Sequence, residues 1–401
     1  MKSLLALFTA GFILLTAGLA RAVPQGGSFE SLDRQARSGA RLNIVFFGGP
    51  FTKGVGLEDD KDSWRARFQQ FLVERHPGAE FHFDVVSMGD AGSKRAMFQT
   101  LKLLTEKKPD LVFLDFLIDD GIQGQNRDTL AAYECILNDL ARAGVPIMQV
   151  FPGVRAVQGS FWKPVMPQRL RDYIEFVKLY RTGVGESYQS LHQLLVSKQY
   201  TMDDIWPDNA NYPTVIGHEL IFTSLRQGYL EAVEQKRHGM FPFEPVFARL
   251  YQSRQEITLA DLPLAEGWTK GPASLPLAAI SGKPVDKIAV WDSGADNSAH
   301  PLRLDFRGTL VAISGEADAD SLGFKVMIDG RPVMQPESKD TTSSVLWTIP
   351  TDGSGSEKTG FWLELTSRLA SGSHSLELIP VAADSGRTGQ LRLGSIFIAG
   401  E

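Results

Sequence analysis

The residues best placed to do chemistry stand where apolar, strand-like runs of the sequence end. The first such run, LNIVFF from residue 42, ends in Gly48 and Gly49, and Pro50 follows directly. A glycine-opened turn after a buried strand commonly presents a side chain or backbone amides to a ligand. Proline has no hydroxyl and no backbone N–H, so Pro50 offers neither a nucleophile nor a hydrogen-bond donor.

A group of carboxylates belongs to a later run, LVFLDFLI. Asp115, Asp119 and Asp120 lie close together in the sequence there, and Asp208 is a candidate to lie opposite them. Converging carboxylates can bind a hard cation or act as an acid–base pair. The alternative, which we favour, gives Asp120 a structural role and lets Asp119 accept hydrogen bonds from loop amides.

Other binding chemistries are not indicated. The G-x-x-x-x-G pattern of Gly49–Gly54 lacks the Lys-Ser/Thr that a phosphate-binding loop needs. The seven histidines show no H-x-E or H-x-x-H spacing, so zinc is not expected. We predict no cofactor and no metal site. A net charge of −6 and a pI near 5.7 give no reason to expect a nucleic-acid partner.

The elements that must position these residues change character along the chain. Up to about Gln235, short apolar runs alternate with helical patterns, which predicts a parallel sheet covered on both faces. Ligands of such sheets bind at the carboxyl ends of the strands. After about Ala260, strand-like runs separated by Gly, Ser and Asp predict a β-sandwich of the jelly-roll type.

The first 22 residues have a charged start, an apolar middle and small residues at Ala20 and Ala22. This pattern predicts a secretory signal peptide cleaved near Ala22, and therefore a secreted or periplasmic protein. No later segment is long and apolar enough to span a membrane. We expect an α/β domain over residues 23–259, a linker over 260–285 and a β-sandwich domain over 286–401. Cys135, the only cysteine, is predicted to fill the core.

Four blocks between Gly39 and Leu225 resemble the SGNH, or GDSL-type, hydrolases of the branch that begins with GGS-x-T-x-G. The blocks are FFGGPFTKG, SMGDAGS, KPDLVFLDFLIDDG and PDNANYPTVIGHELI. The resemblance implies a flavodoxin-like three-layer α/β/α core, and the family commonly hydrolyses esters, often acetyl groups on carbohydrates. The appended β-sandwich is similar to those of secreted carbohydrate-active members.

The family's working residues are largely replaced here. The nucleophilic serine position holds Pro50, and the asparagine that donates to the oxyanion is replaced by Asp119. Gly89 matches the glycine whose N–H also holds the oxyanion. The base histidine position holds Tyr212.

The acid that orients that histidine is also displaced. Asn209 occupies its position, and Asp208 stands one place away. Thr52, Asp120 and His218 have ordinary counterparts in the family, so the resemblance assigns no substitute nucleophile or base to them. Losing one oxyanion donor costs about 10²–10³ in rate, and losing nucleophile and base costs on the order of 10⁶.

Three hypotheses follow. In the first, the protein keeps the esterase fold and binds a glycan, such as an acylated polysaccharide, or another partner without catalysis. In the second, it is an active esterase with an unconventional site that uses the carboxylates. In the third, the β-sandwich is the functional part.

Overall fold

The structure is a computed structural model, and it describes residues 25–121, 126–153, 166–207, 212–242, 244–273, 285–293, 300–335, 346–349, 358–382 and 388–401. The predicted signal peptide, Asp208 and Asn209 lie outside these residues. Within them, no helix is long and apolar enough to cross a membrane.

A five-stranded parallel sheet forms the centre of the N-terminal half. Its strands are β2 (Arg41–Gly48), β3 (Glu80–Ser87), β4 (Leu111–Asp115), β5 (Ile147–Phe151) and β6 (Gly183–Glu186), in the order β3-β2-β4-β5-β6. This is the flavodoxin-like strand order. Gly48 pairs with Ser87 on one side and Asp115 on the other, so β2, β3 and β4 end at the same level.

Alternating side chains of the strands enter two cores, one on each face of the sheet. Val45 and Phe47 pack with helices on one face, whereas Ile44 and Phe46 pack with helices on the other. The helices are α1 (Phe29–Arg37), α2 (Pro50–Lys53), α3 (Trp64–Arg75), α4 (Gly92–Lys107), α5 (Arg127–Arg142), α6 (Gln168–Tyr180), α7 (Tyr188–Val196), α8 (Met202–Ile205) and α9 (Val215–Glu234). The three-layer α/β/α class predicted from the sequence is confirmed.

Polar residues begin several of these helices. Ser63 accepts a hydrogen bond from the Ala66 amide at 3.1 Å at the start of α3, and Thr214 accepts from Gly217 at the start of α9. Such caps satisfy amides that have no partner within the helix. The residues that begin α3 and α9 are therefore set by polar side chains next to them in the sequence.

The C-terminal part is a sandwich of two antiparallel sheets, as predicted. One sheet has the order β16-β12-β18-β10-β9, with β8 also paired to β18; the other has the order β11-β17-β13-β14, with β15 paired to β13. Apolar residues of both sheets enclose a core of their own. The strands are β8 (Ser253–Thr258), β9 (Trp268–Pro272), β10 (Lys287–Asp292), β11 (Leu302–Arg307), β12 (Leu310–Ala317), β13 (Phe324–Ile328), β14 (Arg331–Val333), β15 (Leu346–Trp347), β16 (Thr359–Thr366), β17 (Ser373–Pro380) and β18 (Gln390–Gly400). A separate two-stranded ribbon pairs β1 (Gln25–Ser28) with β7 (His238–Met240).

Strand β8 precedes residue 260 and β9 lies inside the segment predicted as a linker, yet both pair with strands of the sandwich. The domain boundaries given above remain predictions.

The contact of α4 and α5 with the sandwich is here called the domain seam. Phe98 packs edge-on against Phe397 with ring centroids 5.2 Å apart. Arg254 pairs with Asp139 at 2.8 Å. The buried Glu134 carboxylate accepts hydrogen bonds from the amides of residues 246–248. Apolar and polar contacts together therefore join the two parts.

Candidate functional site

The turn after β2 is built by close backbone approach. A Cβ at Gly48 would lie 2.1 Å from Thr52 Oγ1 and 2.5 Å from the Asp115 carbonyl oxygen. The Gly48 carbonyl accepts from the Met88 amide at 2.8 Å, and the Gly49 amide donates to the Asp115 carbonyl at 3.3 Å. Only glycine fits this approach, so the two glycines bring the turn against the ends of β3 and β4.

Pro50 is the first residue of α2, a position where its missing N–H leaves no hydrogen bond unmade. It is half-buried. The proline therefore fits the turn without strain, and it presents only a saturated ring at the carboxyl end of the sheet.

Thr52 and Asp115 form a buried pair beneath this turn. The Thr52 hydroxyl donates to Asp115 Oδ2 at 2.7 Å, and the two residues are 0% and 2% exposed. Burial raises the pKa of Asp115 to about 7, although the hydrogen bond from Thr52 opposes that shift. A hydroxyl this deeply enclosed is held for structure and has no access to a ligand arriving from solvent.

Asp119 lies directly over the turn. A Cβ at Gly49 would come within 1.9 Å of Asp119 Oδ2 and 2.6 Å of Oδ1. Asp119 is half-buried. Because Gly49 has no side chain, the Asp119 carboxylate can occupy this position at the edge of the sheet.

Asp120 points into the protein and ties three elements together. Its Oδ1 accepts from the Ser93 amide at 2.8 Å and from the Ser93 hydroxyl at 2.9 Å, and its Oδ2 accepts from Tyr173. Burial raises the pKa of Asp120, and the hydrogen bonds from Tyr173 and Ser93 partly offset this. Asp120 therefore connects the end of β4 to α4 and α6.

Gly89 follows β3 in the left-handed region, with φ of 57°. Its amide lies 3.5 Å from Ser87 Oγ, a long hydrogen bond. Arg95, 7% exposed, donates to the Met88 carbonyl at 2.7 Å, and burial lowers the pKa of Arg95 to about 10. The sequence reasoning missed this arginine, because a charged residue in an amphipathic helix is usually solvent-exposed.

Tyr212 precedes α9, and His218 lies in the first turn of that helix. Tyr212 is half-buried against Gly56, where a Cβ would lie 2.9 Å from the Tyr212 Cβ. His218 is fully buried, stacks on Phe51 at 4.8 Å, and accepts from the Trp64 amide through Nδ1 at 3.2 Å. Burial lowers the pKa of His218 to about 4, so it is a neutral packing residue at pH 7.

The structure thus brings most of the predicted site residues to one edge, which is here called the strand-end site. Pro50, Gly89 and Asp119 lie at the level ends of β2, β3 and β4, with Thr52 and Asp120 behind them. Asp208 and Asn209 fall outside the described residues. Among the residues the structure describes, no group of three or more His, Cys, Asp or Glu side chains is arranged to hold a metal ion.

Two clefts lie away from this edge. One of about 520 Å³ is lined by basic residues at the ends of α6 and α9, including Arg181, Lys236 and Arg237. Cations at these positions complement the negative ends of the helix dipoles. The other, of about 540 Å³, lies at the domain seam beside Phe98 and Arg254.

Comparison with known proteins gives a fold-level answer. No family model matches the sequence, and no curated protein matches it. Among solved structures, a two-domain esterase (CEX) active on acetylated mannans, co-crystallised with mannopentaose, superimposes with a TM-score of 0.70 at 14% identity, covering 94% of this chain and 97% of that one. A second structure of a two-domain esterase (CEX) active on acetylated mannans gives 0.68 at 13% identity with the same coverage. The chain therefore shares the fold of a carbohydrate esterase across both of its parts.

Proposed function

We propose that this protein binds a carbohydrate at the carboxyl edge of its parallel sheet and does not hydrolyse esters. The observation that carries the proposal is the turn after β2. The sequence resemblance assigns the nucleophile to this turn, but the turn begins its helix with Pro50, and its one hydroxyl, on Thr52, is buried against Asp115.

The chemistry of the residues at this edge disfavours catalysis. Acyl transfer needs a nucleophile and a base within hydrogen-bond reach of each other. Thr52 and Asp115 are within reach at 2.7 Å, and this is the one observation that favours the alternative of an unconventional esterase. A carbonyl carbon has no path to that hydroxyl, however, because Thr52 is 0% exposed. His218 does not serve as a base for a ligand at this edge, since its ring is enclosed by Phe51 and the Trp64 amide.

The shared two-part fold and the polar edge of the sheet support a carbohydrate ligand. The esterase with which this chain superimposes acts on acetylated mannans and was crystallised with mannopentaose. The Asp119 carboxylate lies at the carboxyl edge of this protein's parallel sheet, and carboxylates are strong acceptors for sugar hydroxyls. Export of the chain, by cleavage near Ala22, belongs to this proposal and is supported by the charged start, apolar middle and small residues of the first 22 positions.

The test measures binding and hydrolysis on the same sample. The chain from residue 23 is assayed for acetate release from acetylated mannan and for retardation in native gels containing mannan. We expect retardation and no acetate above the buffer blank.

Variants separate the alternatives. Acetate release that disappears in a Thr52→Ala, Asp119→Ala double variant would contradict the proposal and establish an unconventional esterase. Retardation that survives Asp119→Ala unchanged would move the binding site away from this edge, as the hypothesis of a functional β-sandwich requires.

A further inference from the structure

The cleft of about 520 Å³ at the ends of α6 and α9, here called the basic cleft, is separate from the strand-end site. Its cations are Lys178, Arg181, Lys236 and Arg237. Arg169, in the first turn of α6, donates to the Gly121 carbonyl after β4 at 3.3 Å. The 13 residues of α6 rise about 20 Å from there to the basic cleft, so the two sites lie at opposite ends of this helix.

Acidic residues neutralise only part of the charge in the basic cleft. Lys178 pairs with Glu175 at 2.7 Å and Lys236 pairs with Glu30 at 3.0 Å, with all four side chains exposed. Among the described residues that line the cleft, none is Asp or Glu, although the whole chain has a net charge of −6. Exposed ion pairs contribute little to stability, so both lysines can exchange their partner for a ligand.

The two arginines have no carboxylate partner among the residues that the structure describes. Arg237 donates through Nη1 to the Thr182 carbonyl and through Nε to Gln235 Oε1, both at 3.0 Å. Both acceptors are neutral, and these contacts use two of the five donors of the guanidinium. The Arg181 side chain makes no hydrogen bond or ion pair within the described part of the chain. Arg237 is therefore held in position, and both arginines carry uncompensated charge.

Two of the cations stand at backbone positions that favour glycine. Arg181 ends α6 with φ of 51°, and Lys236 follows α9 with φ of 51°. This left-handed conformation is strained for a residue with a Cβ, and glycine is the usual residue there after a helix. A glycine at either position would remove the charge and relieve the backbone, so substitution separates ligand binding from stability.

The lining of the basic cleft points to a sugar more than to a lipid. Its apolar residues, Ile174, Val177 and Val184, are aliphatic and buried or half-buried, so the C–H faces of a sugar ring can pack on them. None of the described residues that line the cleft is a strongly exposed, large apolar residue. A protein that binds a lipid surface inserts such residues into it.

We propose that the basic cleft binds an acidic polysaccharide through the carboxylates of its uronic acid units. Guanidinium groups pair with carboxylates through two parallel hydrogen bonds. The cations come from the end of α6 and from the segment after α9, so they contact successive units of one chain. This second site goes beyond the proposed function and does not depend on it.

The test measures binding of polygalacturonate oligosaccharides to the whole chain from residue 23. Titration calorimetry is done at pH 7 in about 0.1 M salt, where charges more than about 10 Å apart are screened. The cleft variant carries Arg181→Gly and Lys236→Gly. We expect it to bind at least about tenfold more weakly than the wild type and to melt at no lower temperature, because glycine suits both backbone positions.

The matched control carries Lys108→Gly and Lys198→Gly. Lys108 ends α4 with φ of 45° and Lys198 follows α7 with φ of 57°. Both are exposed, and neither lines the basic cleft. The control therefore has the same change in net charge, the same backbone change and the same loss of cations at helix ends. We expect it to bind polygalacturonate as the wild type does.

A single variant tests the arginine without a glycine. Arg181→Gln keeps a long polar side chain and removes only the charge, so we expect binding at least about threefold weaker. Unchanged binding by both Arg181→Gln and the cleft variant would overturn the proposal, as would equal losses in the cleft variant and the control.

Two further measurements identify the ligand class. Vesicles containing phosphatidylglycerol that bind the wild type but not the cleft variant, with no binding of polygalacturonate, would replace the polysaccharide by a lipid and overturn the proposal. Neutral mannan should be retarded equally by the wild type and the cleft variant. Absence of mannan binding by the wild type would overturn the proposed function of the strand-end site and leave the basic cleft as a separate result.

Discussion

The strand-end site and the domain seam both place carboxylates among buried groups, but they use them differently. At the seam, Glu134 and Asp139 accept from groups that the sandwich part or the chain leading to it supplies. At the strand-end site, Asp115 and Asp120 accept hydrogen bonds from groups inside the protein, whereas Asp119 lies over the turn at the surface. The groups that hold this edge together therefore lie one layer below those that would contact a ligand. The residues at the tip of the edge can therefore change without loss of the fold.

The largest effect is expected at the seam. Glu134→Ala removes the acceptor of three backbone amides and of the Tyr180 hydroxyl. Leaving several buried donors unsatisfied should lower the free energy of unfolding by about 3–5 kcal/mol. Urea unfolding followed by tryptophan fluorescence measures this loss. A variant as stable as the wild type would show that the seam does not depend on Glu134.

A second prediction concerns how the free energy of unfolding depends on pH through the buried Asp115. The pKa of Asp115 is raised to about 7 by burial, so the folded protein keeps this proton up to about pH 7 whereas the unfolded chain releases it near pH 4. The contribution of Asp115 to stability is therefore present below about pH 4 and is lost as pH rises to 7, at no more than about 1.4 kcal/mol per pH unit.

Asp115→Asn removes this loss of stability, so the free energy of unfolding should rise more steeply with pH between pH 4 and 7. His218 contributes with the opposite sign, because its lowered pKa of about 4 makes stability fall as pH drops from 6.5 to 4. Unfolding free energies at four pH values test this, with Asp261→Asn as the control. Parallel curves for Asp115→Asn and the wild type would show that Asp115 is ionised in the folded protein.

A third prediction concerns the close contact between Gly49 and the Asp119 carboxylate. Gly49→Ala places a methyl group where the Asp119 carboxylate lies. The carboxylate must move, so stability should fall by about 1–3 kcal/mol and carbohydrate binding should fall at least about tenfold. Gly78→Ala is the matched control, because nothing lies within 4 Å of a Cβ there. Intact binding by Gly49→Ala would contradict the place assigned to Asp119.

The smallest effect is expected from a partly exposed ion pair across the seam. Lys94 contacts Glu364 at 2.7 Å, with side chains 13% and 28% exposed. Glu364→Gln should lower the free energy of unfolding by about 0.2–1 kcal/mol. Glu175→Gln, which breaks the more exposed pair with Lys178, should change it less. A reversed order would show that exposure does not govern these pairs.

The fold class followed from the sequence because its signals are local. Strand-like runs alternating with helical patterns indicate a parallel sheet covered on both faces, and the short alternating runs after residue 285 indicate antiparallel sheets. The positions of Pro50, Gly89 and Asp119 at one edge followed too, since parallel strands end together. Strands β8 and β9 were not predicted, because an edge strand that completes a distant sheet leaves little periodicity in its own sequence.

Residue identity and periodicity are properties of the chain alone, so they were enough to predict the α/β and sandwich classes and to show that position 50 holds no serine. The surroundings of the carboxylates depend on tertiary packing: Thr52 donates to Asp115, Ser93 and Tyr173 donate to Asp120, and Asp119 lies over Gly49. These contacts join residues far apart in the chain, 63 positions apart for Thr52 and Asp115 and 53 for Asp120 and Tyr173. Whether such a carboxylate is buried or presented depends on how the layers pack, and that packing is a property of the whole fold.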